Sequence, residues 1–450
     1  MIRHHFTGPL VATIVLLGAG ALLDAQRAMP PGPTCVVPQD GKGCLPVAPA
    51  AKRVDLRTPS FSNPTSITNP LHPSSRLTQV IYAGQVNGEP WRTEFTRLPD
   101  SKAIEWDGQK INVVTWQYLA YANGRIDEVA LDWFAQADDG AVWYLGEDVF
   151  NYKDGVVADT EGTWIAGKNG PPGMIMPGSP KVGDVYRPEN SPDIVFEEVM
   201  VTAVGQTVQG PGGPLTGAIV VTELHRDGVR ENKIFAPGYG EFSTGSPTAD
   251  LEEAAFAVPT DARSDAAPAS FGSLSTAVRN VFDTAASGNW SAAAGARTAL
   301  TVAWNSYRST GVSALLVNQM NRDVAALDAA VSKRDASGVR HAALRIAQNE
   351  LDLRLRYFTV AAVDLARVEL WGRQAVIDAA AKHAADAAGD IAALDWTWRR
   401  ARQTLDRTIA DRVDTQVGNL RRAAEKKDLA ALVQGIPAVL QLLSSASGSR

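Results

Sequence analysis

Residues 111–136 read INVVTWQYLAYANGRIDEVALDWFAQ, and the period of this stretch decides the fold. β-Branched and aromatic residues recur every second position on both sides of Asn123-Gly124, a pair suited to the positive φ angles of a two-residue hairpin turn. An amphipathic helix would instead repeat its apolar residues three and four apart. The stretch therefore predicts two antiparallel strands joined by a tight turn.

The same grammar extends in both directions. Upstream, VIYAGQV (80–86), NGEP (87–90) and WRTEFTRL (91–98) read as a hairpin. Downstream, Asp138-Asp139-Gly140 turns the chain into AVWYLGEDVFNY (141–152), and Lys153-Asp154-Gly155 turns it again. FEEVMVTAV (196–204), GAIVVTELH (217–225) and KIFAPGYGEF (233–242) supply three more strands, with Arg226-Asp227-Gly228 as a further turn. Strands joined in sequence order imply an antiparallel meander of roughly eight to ten strands, long enough to curl into a barrel or half-barrel. This β domain is assigned to residues 76–245.

Beyond a linker at 246–270 the composition turns to Ala, Leu, Arg and Asp. In ALRIAQNELDLRLRYF (343–358), Leu344, Ala347, Leu351, Leu355 and Phe358 recur at helical spacing. Residues 271–446 are predicted to form an up-and-down bundle of about five to seven helices. The fold class is thus α+β multidomain, a β-meander followed by an all-α bundle.

The N-terminus specifies a compartment. Residues 1–28 carry Arg3, an apolar run from Pro9 to Leu23 and small residues near Ala19–Ala21, the pattern of a secretory signal peptide. Residues 29–75, rich in Pro, Ser, Thr and Asn, read as a flexible leader. The chain's two cysteines, Cys35 and Cys44, bracket VVPQDGKG within it, a spacing a local disulfide closes in an oxidising compartment. A secreted, periplasmic or envelope-associated protein is expected.

The net charge of −6 conceals a division. Residues 1–270 carry 20 Lys and Arg against 32 Asp and Glu, whereas residues 271–450 carry 23 against 17. Opposite signs permit intramolecular docking of the acidic β half on the basic helical half. Export and the i,i+4 pairing of charges in DWTWRRARQTLDRTIADR (395–412) argue against a nucleic-acid partner.

Catalytic motifs are scarce. No GxSxG, HExxH or phosphate-loop spacing occurs, and His72, His225, His341 and His383 are scattered beyond the signal segment. No cofactor is called for. Attention falls on residues 163–190, TWIAGKNGPPGMIMPGSPKVGDVYRPEN, whose prolines and glycines predict a long ordered loop rather than a strand. Its apolar content requires it to fold onto an end of the sheet, as a plug filled by methionine or as a lid over a hydrophobic ligand. The candidate ligand-binding residues are Trp143, Glu147, Asp148, Trp164, Met174, Met176, Tyr186 and Glu189. If the sheet curls, Glu147, Asp148 and Glu189 approach one another as an acidic rim or a carboxylate pair. In the helical half, Asp364, Arg367, Trp371, Gln374 and Asp378 form a polar stripe, read chiefly as interhelical ion pairs.

WYLGEDVFNY (143–152), GTWIAGKNGPPGMIMPGSPKVGDVYRPE (162–189) and KIFAPGYGEF (233–242) resemble segments of uncharacterised secreted bacterial proteins, and LDLRLRYFTVAAVDLARVELWGRQ (351–374) resembles a helical region of exported bacterial proteins of unknown function. The resemblance implies no activity. The leading functional expectation is an exported binding or cell-envelope interaction protein, holding a small apolar or amphiphilic ligand in the β domain under the 163–190 loop, and not an enzyme. Two alternatives stay open: an extracytoplasmic metal-binding protein using the acidic rim or the stripe, and a carboxylate-based glycan hydrolase using Glu147, Asp148 or Glu189.

Overall fold

A computed structural model describes Met29 and residues 34–246, 249–287 and 289–447. The signal-peptide expectation at 1–28 lies outside these residues. Among those described, the first half is one antiparallel sheet. Its strands are β1 (Gln79–Val86), β2 (Glu89–Trp106), β3 (Gln109–Ala122), β4 (Arg125–Gln136), β5 (Val142–Lys153), β6 (Val156–Asp159), β7 (Trp164–Ile165), β8 (Gly173–Met176), β9 (Val185–Ser191), β10 (Val195–Gly210), β11 (Gly213–His225), β12 (Arg230–Ala236), β13 (Gly240–Gly245) and β14 (Leu251–Val258).

The hairpins follow from turn chemistry. Asn87-Gly88, Asp107-Gly108, Asn123-Gly124 and Asp154-Gly155 all take positive φ at both positions, the backbone that a two-residue turn matching strand twist requires. The order in the sheet is β6-β5-β4-β3-β2-β1-β14-β13-β12-β11-β10-β9, with β7 and β8 added to β5. Two meanders, β1 to β6 and β9 to β14, are therefore stitched by the β1–β14 ladder, in which Gln79 faces Val258 and Gln85 faces Leu251.

Three expectations are corrected. The ladder does not close, so the sheet is not a barrel. The 246–270 segment is not simply a linker, because it holds β14, whose acidic and alanine-rich sequence LEEAAFAV conceals a strand that only tertiary pairing reveals. The 29–75 segment has little regular structure but is packed rather than free. Met29, Ile67 and Leu71 join the sheet's apolar core, Val36 and Leu45 pack with Phe196 and Leu224, and Val54 N–H donates to the Val185 carbonyl at 2.9 Å. The Cys35–Cys44 disulfide is formed.

Eight helices follow: α1 (Ala269–Ser287), α2 (Trp290–Tyr307), α3 (Ala314–Lys333), α4 (Ala336–Arg354), α5 (Val360–Ala380), α6 (Ala384–Ala401), α7 (Arg407–Glu425) and α8 (Leu429–Ser447). Five begin at side-chain caps, Asn289, Ser313, Asp335, Thr359 and Asp406, each accepting an otherwise orphaned backbone N–H. No helix among the described residues is long and apolar enough to cross a membrane.

Strand alternation divides the sheet into two buried faces. On the outer face, Ile81, Ala83, Leu119, Tyr121, Val129, Ala255 and Phe256 share one core with the helices. The inner face keeps a separate core that includes Val80, Tyr82, Trp116, Phe134 and Tyr144. Charge marks the seam with the helices. Arg92 and Glu94 of β2 meet Asp352 of α4, Asp364 and Arg367 of α5 and Arg400 of α6, all buried. Arg92 bonds Asp352 at 2.5 Å, and Arg367 bonds Glu94 at 3.2 Å, Asp352 at 2.8 Å and Asp364 at 2.9 Å. Arg400 bridges Glu94 and Asp364. Three arginines thus neutralise three carboxylates, and the acidic half docks on the basic half through them. Burial alone pushes the Glu94 carboxyl up, but Arg367, Arg400 and Arg92 outweigh it and hold it well below the usual range.

Candidate functional site

The inner face opens into a cavity partly exposed to solvent. Period-two alternation builds its wall. Val80 and Tyr82 come from β1, Phe95 from β2, Trp116 and Tyr118 from β3, and Glu128, Ala130, Asp132 and Phe134 from β4. Tyr144 of β5, Phe235 of β12, Glu241 of β13 and Glu252 of β14 continue the wall, while His72, Pro73, Ser74, Leu77 and Ile175 cover part of it.

The rings are held by one another. Phe95 stacks on Trp116 with centroids 4.7 Å apart, Phe134 stacks on Tyr144 at 4.9 Å, and His72 meets Phe134 edge-on at 4.7 Å. Their hydroxyls are spent inside the protein. Tyr82 donates to the Glu241 carbonyl at 2.9 Å, Tyr118 to Glu252 Oε2 at 3.3 Å, Tyr144 to Asp132 Oδ1 at 2.6 Å and Tyr239 to Asp261 Oδ1 at 2.6 Å.

Four carboxyl groups line the wall, and among the described residues it contains no lysine or arginine. Asp132 faces Glu147 across the β4–β5 ladder. Burial, reinforced by the negative charge of Glu147, pushes the Asp132 carboxyl up to about 8. Burial also holds His72 down, at about 4, so its ring is neutral at neutral pH. Its Nδ1 shares a 2.9 Å hydrogen bond with Ser74 Oγ.

The residues singled out from sequence fall elsewhere. The 163–190 segment is not one loop, since it contains β7, β8 and all of β9 but its last residue. Met174 and Met176 pair with Trp143 and Val142 on β5. Trp143, Trp164, Met174, Met176 and Tyr186 are buried in the inner core and do not line the aromatic cavity; of that segment, Ile175 alone is in its wall. Glu147 is buried beside Asp132, and Asp148 is half-buried, acting on the Lys102 ammonium. Glu189 lines a second, more polar cavity with Glu197, His225 and Glu231. Glu147 and Glu189 both act on the Tyr144 hydroxyl, raising it after burial and Asp132 do.

Among the described residues, two clusters have metal-ligand spacing, Glu197/Glu223/His225 and Asp378/His383/Asp386. Each already contains a cation of the chain. Lys233 lies 2.5 Å from Glu223, and Arg125 lies 2.9 Å from Asp378 and 2.7 Å from Asp390. The helical stripe is likewise occupied: Asp364 and Arg367 belong to the interdomain network, Gln374 donates to Asp378 at 2.8 Å, and Trp371 stacks on Tyr121 at 5.3 Å.

Sequence reasoning passed over Tyr82, Trp116, Tyr118, Glu128, Asp132 and Glu252. A signal was present in EVALDWF (128–134), where Glu128 and Asp132 share a strand face with Ala130 and Phe134, so an apolar wall carries acids at alternate positions. No protein-family model, curated protein or solved structure matches the chain.

Proposed function

We propose that this is an exported, non-enzymatic binding protein whose β domain holds a small amphiphilic molecule, in the cavity walled by β1 to β5 and β12 to β14. The observation that carries this reading is the cavity itself. A concave, mainly aromatic space with a few converging polar groups is the form small-molecule sites take, and this one opens to solvent. The Cys35–Cys44 disulfide supports an extracytoplasmic setting. The helical half packs against the sheet's outer face, leaving the inner face to the ligand.

A neutral fluorescent probe, N-phenyl-1-naphthylamine, tests the reading. Its emission should rise in the presence of the protein, and Ala130→Leu, which adds bulk to the cavity wall, should weaken the response at least about tenfold while the melting temperature stays within a few degrees. Equal enhancement by both proteins would place the probe elsewhere and leave the cavity without a role.

A further inference from the structure

Taking that cavity as the binding site, we propose that it selects an organic cation: an ammonium head seated against Asp132, with an apolar body on Trp116, Tyr118 and Phe134. The wall offers π faces and carboxyl oxygens but few donors. All four tyrosine hydroxyls are committed to oxygens of the protein. A sugar or other neutral polyol needs donors and acceptors in alternation, and a carboxylate or phosphate needs a cation. Neither lysine nor arginine is in the wall among the described residues, and His72 is neutral. The exception among donors is Trp116 Nε1, buried and without a hydrogen-bond partner.

A positive charge meets favourable terms on several sides. Aromatic faces attract ammonium groups through their quadrupoles, most strongly where water is excluded. Asp132 and Glu147 are forced side by side by the β4–β5 register, and in a low-dielectric site the two cannot both stay charged without a cation between them. An ammonium ion placed against Asp132 takes the place of the proton held there, so that cation binding at neutral pH releases a proton. Lysine does reach this region from behind: Lys233 Nζ lies 3.8 Å from Glu241. It therefore tempers one side of the wall and leaves the Asp132 side as the seat of the charge.

Three probes of equal chain length test the class: octyltrimethylammonium, octyl glucoside and octyl sulfate, each titrated below its micellar concentration into the full chain by calorimetry. The expected result is that octyltrimethylammonium binds at least about tenfold tighter than either of the others. Asp132→Asn should erase most of that advantage and leave octyl glucoside unchanged; Glu252→Gln serves as a second variant should the first fail to fold. Binding of the glucoside or the sulfate as tight as that of the cation would overturn the cation class while leaving the cavity reading intact. No binding of any of the three would remove both.

Discussion

Asp132 carries the sharpest consequence at the scale of single residues. Its folded-state titration is raised from an ordinary value of 3.8 to about 8. Below pH 4 the carboxyl is protonated in both folded and unfolded chains and adds nothing to pH dependence. Between roughly pH 4 and 8 the unfolded chain releases this proton while the folded chain retains it, so stability falls as pH rises, and the loss is complete above pH 8. The maximal slope from one such group is about 1.4 kcal/mol per pH unit. Asp132→Asn keeps an oxygen for the Tyr144 hydroxyl and removes the titration. The variant should gain on the parent in melting temperature steadily from pH 4 to 8; a constant difference across that window would show that Asp132 ionises normally. Glu94 behaves in the opposite sense, because its charge is neutralised by Arg92, Arg367 and Arg400. Glu94→Gln leaves surplus positive charge buried, and urea unfolding should report a loss of about 3–5 kcal/mol. A loss below 1 kcal/mol would mean that water already screens the network.

At the scale of elements, the turns and strands were legible where local chemistry decides them. Asn123-Gly124 sits between two alternating runs and forms the turn its sequence requires. Asp107-Gly108 was overlooked, because LPDSKAIEW (98–106) interrupts the alternation that marks the rest of β2. β14 was hidden for another reason: its residues have weak strand preference and are recruited by the edges of β1 and β13. The site was harder still. Which face of each strand lines a cavity depends on the direction of curl, a property of the whole sheet. Proline and glycine in 163–190 were read as a loop, yet Gly173 is there so that β8 can approach β9: a Cβ at this position would fall 1.7 Å from the Pro188 carbonyl oxygen. Gly173→Ala should therefore cost about 1–3 kcal/mol by urea unfolding. An unchanged midpoint would show that β8 is free to shift.

For the molecule as a whole, the two halves distinguished by composition are not independent bodies. One apolar core runs from Ile81, Leu119 and Phe256 of the sheet into the helices, and the ionic network lies in the same seam. Residues 29–262 produced alone would expose that apolar face together with Arg92 and Glu94. The expected result is a single cooperative melt for the full chain and aggregation of the isolated β half. Two separate transitions in the full chain, with the β half retaining its own melting temperature when isolated, would contradict a shared core. This architecture leaves the inner face for a ligand, and native mass spectrometry of the protein purified gently from its own host tests that claim most directly. The natural chain should carry a stoichiometric small-molecule adduct that is missing from Ala130→Leu. A bare mass for the natural protein, with no adduct restored by incubation in host extract, would contradict it.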